Sequence, residues 1–141
     1  MLGRLTDAGV RVPRPYGHLR NVLVMSFIED AGAPAPRLKD ALVEDPRALY
    51  DDLVEQVGRM VRRAHLVHGD LSPYNTLYSE GHVVLIDVAQ SIPTEHPQAA
   101  TLLERDLDNY AKFFGRLGVE VETSEFLHAV GGDALGPVTE A

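Results

Sequence analysis

The chain has 141 residues, 13 Lys and Arg against 21 Asp and Glu (formal net charge −8), 45% hydrophobic residues, no Cys and no Trp. That length is about one domain's worth and can bury a core without covalent staples. Zero Cys excludes disulfide partners, a thiol nucleophile and thiolate metal sites, and the acidic balance argues against broad nucleic-acid binding. No apolar run reaches membrane-spanning length and no secretory pattern opens the chain, so a cytoplasmic protein with no membrane partner is expected.

Residues 2–9 read as a short helix stopped at Gly9, and Pro13 and Pro15 make the next stretch an extended loop. The apolar run Val22 to Ile28 predicts a buried strand. Glu29 to Lys39, with Gly32, Pro34 and Pro36, reads as a connector without regular structure. Asp45 suits an N-cap and Pro46 a first helical position. Leu49, Leu53, Val57, Met60, Val61 and Ala64 then recur at helical steps, predicting an amphipathic helix over 46–66. Its acidic residues Asp51, Asp52 and Glu55 are expected on the solvent face. Thr76 to Tyr78 and Val83 to Val88, joined by Ser79-Glu80-Gly81-His82, predict a hairpin whose second strand is covered on both faces. Leu103, Leu107, Tyr110, Phe114 and Leu117 mark a helix over 99–117 with Gly118 as its stop. Thr123 is expected to cap a last helix through Val130, and the tail from Gly131 to fray.

Chemistry concentrates in Val67-His68-Gly69-Asp70-Leu71-Ser72-Pro73-Tyr74-Asn75 and in Leu85-Ile86-Asp87. Gly69 and Pro73 make the first segment a loop, and the hairpin folds the chain back so that Asp87 approaches Asn75. Two carboxylates and one amide oxygen then converge on one pocket. Magnesium prefers oxygen ligands and leaves much of its shell to water and phosphates. Asn75 and Asp87 suit that ion, while Asp70, kept off the metal, orients or deprotonates an attacking hydroxyl. This is the division of labour of phosphoryl transfer by a loop Asp, an Asn five residues on and a metal Asp on the next hairpin. A lone Asp or Asn in a loop is an ordinary turn former; the complete H-G-D-x-x-x-x-N with the strand-end Asp is much more specific.

HGDLSPYNTLY, VVLIDVAQSI, EHP and RDLDNYAKFF together resemble the RIO family of atypical serine/threonine protein kinases, nearest its first subfamily and bacterial relatives. VLVMSFI followed by PAPRLKDA is similar to that family's hinge and the segment after it, so the likeness covers nearly all of residues 2–117. The resemblance implies an α+β, protein-kinase-like fold: mainly the helical C-terminal lobe (29–141), with a hinge strand, a catalytic-loop β-hairpin and a remnant of the N-lobe (1–28). It implies ATP and Mg as cofactors, Asp70 as catalytic residue, and Asn75 and Asp87 as metal ligands. Met25 takes the gatekeeper position, and the main chain of Ser26 and Ile28 reads adenine; Ser26 departs from the Glu of many members. In some members the metal Asp is phosphorylated during an ATPase cycle, which places an acyl-phosphate on Asp87. The protein substrate stays unknown, and a link to ribosome maturation rests on the family alone.

The twelve glycines form no G-x-G-x-x-G, and the two lysines, Lys39 and Lys112, lack the strand setting of a phosphate-clamping Lys. Impaired phosphoryl transfer is therefore expected of this chain. Two alternatives stay open: a small-molecule phosphotransferase of aminoglycoside or choline kinase type, which shares the loop motif, and a non-catalytic, pseudokinase-like binding module. His68 is expected to support the loop. Two placements fit Asp106, one reaching the loop's backbone amides and one in solvent. His65 and His68 lack further metal ligands, and Ser72 and Ser91 lack the base of a nucleophile.

Overall fold

A six-residue helix, Leu2–Asp7 (α1), ends in a turn at Gly9, whose φ of 82° is the left-handed stop expected there. In this computed structural model residues 2–12, 15–19, 22–25, 29–30 and 33–135 are described, with side chains at 4–12, 35–132 and 135. Pro15–Leu19 (β1) pairs antiparallel with Val22–Met25 (β2), the register shifting between Pro15 and Gly17. The first partner was expected as loop; proline at the start of a strand lacks only a donor and is tolerated there. Of the strand expected over Val22 to Ile28, the part beyond Met25 lies outside the described residues.

The connector is not wholly irregular. Glu29–Asp30 (β3) and Ala33–Pro34 (β4) form a two-residue antiparallel ladder, and a 3-10 turn follows at Leu38–Asp40. Pro36 and Arg37 then run beside Leu77 and Tyr78.

The second helix, Pro46–Arg62 (α2), begins as predicted: Asp45 Oδ1 accepts from the Ala48 N–H at 3.1 Å, with Pro46 at the first position. It stops four residues short of Leu66. His65 takes a φ of 56°, and Leu66–Val67 (β5) leaves to pair antiparallel with Ile92–Pro93 (β8). Helical periodicity continues through this stretch, but the pairing of Leu66 with Pro93 and of Val67 with Ile92 wins it for a strand.

Thr76–Ser79 (β6) and His82–Leu85 (β7) form the predicted hairpin, with Val83, Val84 and Leu85 all buried. Glu80 and Gly81 join them with φ of 52° and 82°, as a tight type I′ turn demands. Among the described residues the outer edge of β7 meets no further strand. Arg11 and Asp52 cover it instead. Asp52 Oδ2 accepts from the Val83 N–H (2.8 Å), Arg11 Nη1 donates to the Val83 carbonyl (2.6 Å), and the Leu85 N–H donates to the Arg11 carbonyl (2.9 Å). Arg11 and Asp52 also pair with each other through two contacts of 3.0 and 3.2 Å. Asp52 is thus no solvent residue, its side chain being 11% exposed; Asp51 and Glu55 do face water as expected.

Ala99–Arg116 (α3) presents Leu103, Leu107, Tyr110 and Phe114 to the core. In Thr123–Ala129 (α4) the cap position falls to Glu122, with no side-chain cap; Thr123 Oγ1 instead donates to Asp108 Oδ1 on α3 (3.2 Å). Gly132–Leu135 forms a further 3-10 turn where fraying was expected, its Gly132 buried against Leu127 and Leu103. One apolar core holds Leu5 and Val10, the inner face of α2, the strands of the hairpin and the stripe of α3. Tyr50, Tyr110, Phe114 and Phe126 meet within it largely edge to face.

Candidate active site

The 68–75 loop leaves β5 and enters β6, and nearly every buried polar side chain in the described residues serves it. His68 is buried, and its two ring nitrogens bridge the two halves of the site. The Asp70 N–H donates to Nδ1 (3.2 Å), so Nδ1 is unprotonated and Nε2 carries the hydrogen given to the Ile86 carbonyl (2.8 Å). Burial pushes the imidazole pKa down, against the pull of the Ile86 carbonyl and of the carboxylates of Asp70 and Asp87. A neutral ring therefore fixes Asp70 in relation to the residue just before Asp87.

Helix α3 grips the loop on both sides of Asp70. Asp106 accepts from the Gly69 N–H through Oδ2 and from the Leu71 N–H through Oδ1, both at 3.0 Å. The Arg105 guanidinium donates to the Gly69 carbonyl, and Asn109 Nδ2 donates to the Leu71 carbonyl at 3.1 Å. The peptide groups flanking Asp70 are thus held at both N–H and C=O. Of the two placements weighed for Asp106, the buried one is found. Its burial pushes the carboxyl up to about 7, opposed by the two amide bonds and by Arg105.

Below the loop, Tyr110 is fully buried and its hydroxyl is bonded to Thr76, whose own hydroxyl donates to the Ser72 carbonyl (2.8 Å). Burial raises the Tyr110 pKa. The phenol stays protonated and donates, since Thr76 spends its hydrogen on Ser72.

Asn75 Nδ2 donates to the Asp70 carbonyl (2.8 Å) and to Asp70 Oδ2 (3.2 Å). That turns the amide oxygen Oδ1 away from Asp70, with no donor on it among the described residues. The hairpin register sets Thr76 opposite Leu85, and the Ile86 N–H reaches the Asn75 carbonyl at 3.4 Å, so Asp87 follows directly after Asn75's partner. Asp87 adopts a left-handed backbone (φ 56°, ψ 45°), which Asp tolerates better than most residues, and its side chain caps no amide of the 3-10 turn Val88–Gln90. Carboxylate and amide oxygens are the donors a hard divalent cation takes, so half-buried Asn75 and exposed Asp87 fit magnesium in kind.

Asp70, Asn75 and Asp87 are therefore gathered around the exit of one hairpin. Of the residues assigned to adenine, Met25 ends β2 and is described by its backbone only, while Ser26 and Ile28 lie outside the described residues. Sequence reasoning missed Arg105 and Asn109. Their one signal is position, a polar pair one turn apart bordering the apolar stripe that carries Asp106.

A family model described as RIO domain matches residues 1–126. RIO-type serine/threonine-protein kinase Rio1 of Haloferax volcanii is 42% identical over 132 residues, covering 94% of this chain and 45% of that protein. The Rio1 of Thermoplasma acidophilum is 42% identical over 118 residues, 84% of this chain and 61% of that protein. The chain thus spans between 20% and 61% of the length of the curated relatives it matches. The crystal structure of the Rio2 kinase from Chaetomium thermophilum superposes with a TM-score of 0.75 at 25% identity, covering 97% of this chain and 45% of that one. A second structure of that kinase, described as an ADP/Mg2+-phosphoaspartate complex, gives 0.71 at 25% identity, with 97% and 44% covered.

Proposed function

The chain belongs to the RIO kinase family, and from that premise we propose that it carries the catalytic centre of an ATP- and Mg-dependent phosphoryl transferase acting on protein serine, on its own Asp87, or on both. The observation that carries this reading is the bond from Asn75 to Asp70 Oδ2, which leaves one Asp70 oxygen for an acceptor proton and the Asn75 oxygen for a cation.

Asn75 and Asp87 would hold magnesium, which supplies charge neutralisation for the phosphates. The chain's own residues do the rest. Asp70, fixed by four hydrogen bonds from α3 to its neighbouring peptides, points its free carboxylate oxygen at the incoming hydroxyl and accepts its proton. His68 sets the spacing between Asp70 and the Asp87 end of the hairpin. By the family resemblance, Met25 would take the gatekeeper position behind adenine and the main chain of Ser26 and Ile28 would read its edge.

In the ATPase branch, an Asp87 carboxylate oxygen attacks the γ-phosphorus. The new P–O bond forms as the bond to the bridging oxygen breaks, ADP leaves, and water later returns the carboxylate and inorganic phosphate. Support comes from the phosphoaspartate in the described complex of the structural neighbour. Incubation with γ-labelled ATP and Mg should leave a label on the chain that hydroxylamine releases. Asp87→Asn should abolish that label; a label persisting in the variant would refute the assignment.

A further inference from the structure

Ser72, Pro73, Tyr74 and Asn75 form a tight turn that delivers Asn75 to the site. The Asn75 N–H donates to the Ser72 carbonyl (3.0 Å), Pro73 brings the fixed φ suited to a second turn position, and Ser72 Oγ accepts the Tyr74 N–H (3.1 Å). The Ser72 carbonyl also accepts from Thr76 Oγ1 (2.8 Å), which is itself bonded to the Tyr110 hydroxyl on α3. One carbonyl thus collects the backbone of Asn75 and the side chain of the residue after it. Thr76 and Tyr110 are both 0% exposed, and Tyr110 packs in the apolar core with Phe126. A phenylalanine would fill the same space. What the tyrosine adds is a hydroxyl, which is costly in such a core unless it is bonded.

We propose that Tyr110 and Thr76 are positioning residues for Asn75, acting through the Ser72 carbonyl to hold its side-chain amide against Asp70. The inference rests on the reading of Asn75 as a cation ligand and deepens it. Helix α3 reaches the two ends of the loop by separate routes. Arg105, Asp106 and Asn109 bond the peptides beside Asp70, whereas Tyr110, four residues after Asp106 and on the same face, serves the turn before Asn75. The spacing between the two site residues is therefore set by one rigid element. The hydroxyls form a directed chain. Tyr110 donates to Thr76, Thr76 donates to Ser72, and each bond in such a chain polarises the next. The hydrogen from Tyr110 fixes Thr76 Oγ1 with its own hydrogen aimed at the carbonyl. With that carbonyl held, Asn75 keeps its amide nitrogen on Asp70 Oδ2 and its oxygen free for the ion.

The test uses the full chain, with NMR order parameters for the Asn75 side-chain amide and Mn2+ alone as the probe of the cation site. In Thr76→Val the amide order parameter should fall from the rigid range, about 0.85, to below about 0.6. Mn2+ affinity, followed by electron paramagnetic resonance, should weaken about tenfold, as for other supports of a metal ligand. Tyr110→Phe should move both readouts in the same direction by less. Thr76→Ser should keep the wild-type values beside Tyr110 and lose them when combined with Tyr110→Phe. The double variant Thr76→Val with Tyr110→Phe controls for folding. It removes both hydroxyls with little change of shape, so its urea midpoint should stay near that of the wild type while the Asn75 amide is loose. An Asn75 amide as rigid in the double variant as in the wild type overturns the proposal, whatever Mn2+ does. An amide loosened by the variants, with Asn75→Ala binding Mn2+ as the wild type does, keeps the positioning role and refutes Asn75 as a cation ligand.

Discussion

Asp106 and His68 are the two buried ionisable side chains on which the geometry at Asp70 depends, and their protonation pulls stability in opposite directions. The Asp106 carboxyl is raised to about 7, so the native state holds its proton more tightly than the unfolded chain does. Its contribution is full below the ordinary Asp value of 3.8 and is lost as pH rises through about 7. His68 is lowered by burial, so its contribution is present above 6.5 and is lost as pH falls toward its depressed value. Asp106→Asn separates them. The amide oxygen can accept from one of the Gly69 and Leu71 amides, while its NH2 opposes the other, at a cost of about 1–3 kcal/mol at neutral pH. Urea unfolding at pH 5 and pH 7.5 should show the stability gap between wild type and variant narrowing as pH rises. The variant alone should grow more stable over that interval, following His68.

At the scale of elements, the hairpin of β6 and β7 is a two-stranded ribbon, which has little stability in isolation. Its free edge is satisfied by side chains in a fixed polarity, a carboxylate to the Val83 N–H and a guanidinium to the Val83 carbonyl. Asp52→Ala leaves an amide and a partly buried Arg11 without their acceptor and should cost about 1–3 kcal/mol in urea unfolding. Exchanging the pair, Arg11→Asp with Asp52→Arg, should not recover that loss, because each new charge would face the wrong backbone group. Full recovery would show that the pair acts through charge alone.

The same edge marks the limit of what the sequence discloses. The stripes of α2 and α3 and the hairpin with its Glu80-Gly81 turn are readable because their signals lie within a few residues. Asp70, Asn75 and Asp87 are readable because their spacing is tied to that hairpin. Asp52 looks like any acidic residue of a helix face until Arg11, 41 residues earlier, and Val83, 31 residues later, fold onto it. Strand β5 hides inside a helical period for the same reason, its partner being β8. Arg105 and Asn109 bond to carbonyl groups, which leave no trace in residue identity.

Across the whole molecule, the chemistry is provided unevenly. The described residues include Asp70, Asn75 and Asp87, the groups proposed to accept the proton and hold the cation. The two lysines stand elsewhere than on a strand: Lys39 in the turn beside Tyr74, and Lys112 on α3, 3.2 Å from Asp108. Without a strand Lys and a Gly-rich loop, the triphosphate forgoes several charge-assisted hydrogen bonds, each about twice as strong as a neutral one. Isothermal titration of these 141 residues with ATP and Mg should therefore give a dissociation constant in the high micromolar range or weaker. Low micromolar affinity would mean that other residues of the chain clamp the phosphates.

The tight turn at Glu80 and Gly81 has one more implication. A two-residue connection of this hand allows one alignment of the flanking strands, and side chains alternate faces at every step along them. Adding or deleting a single residue between Thr76 and Ile86 would offset Asp87 against Asn75 and set a neighbour in its place. The site is indexed by chain length, so a frame-preserving insertion or deletion of one codon here would be as damaging as the loss of the aspartate itself.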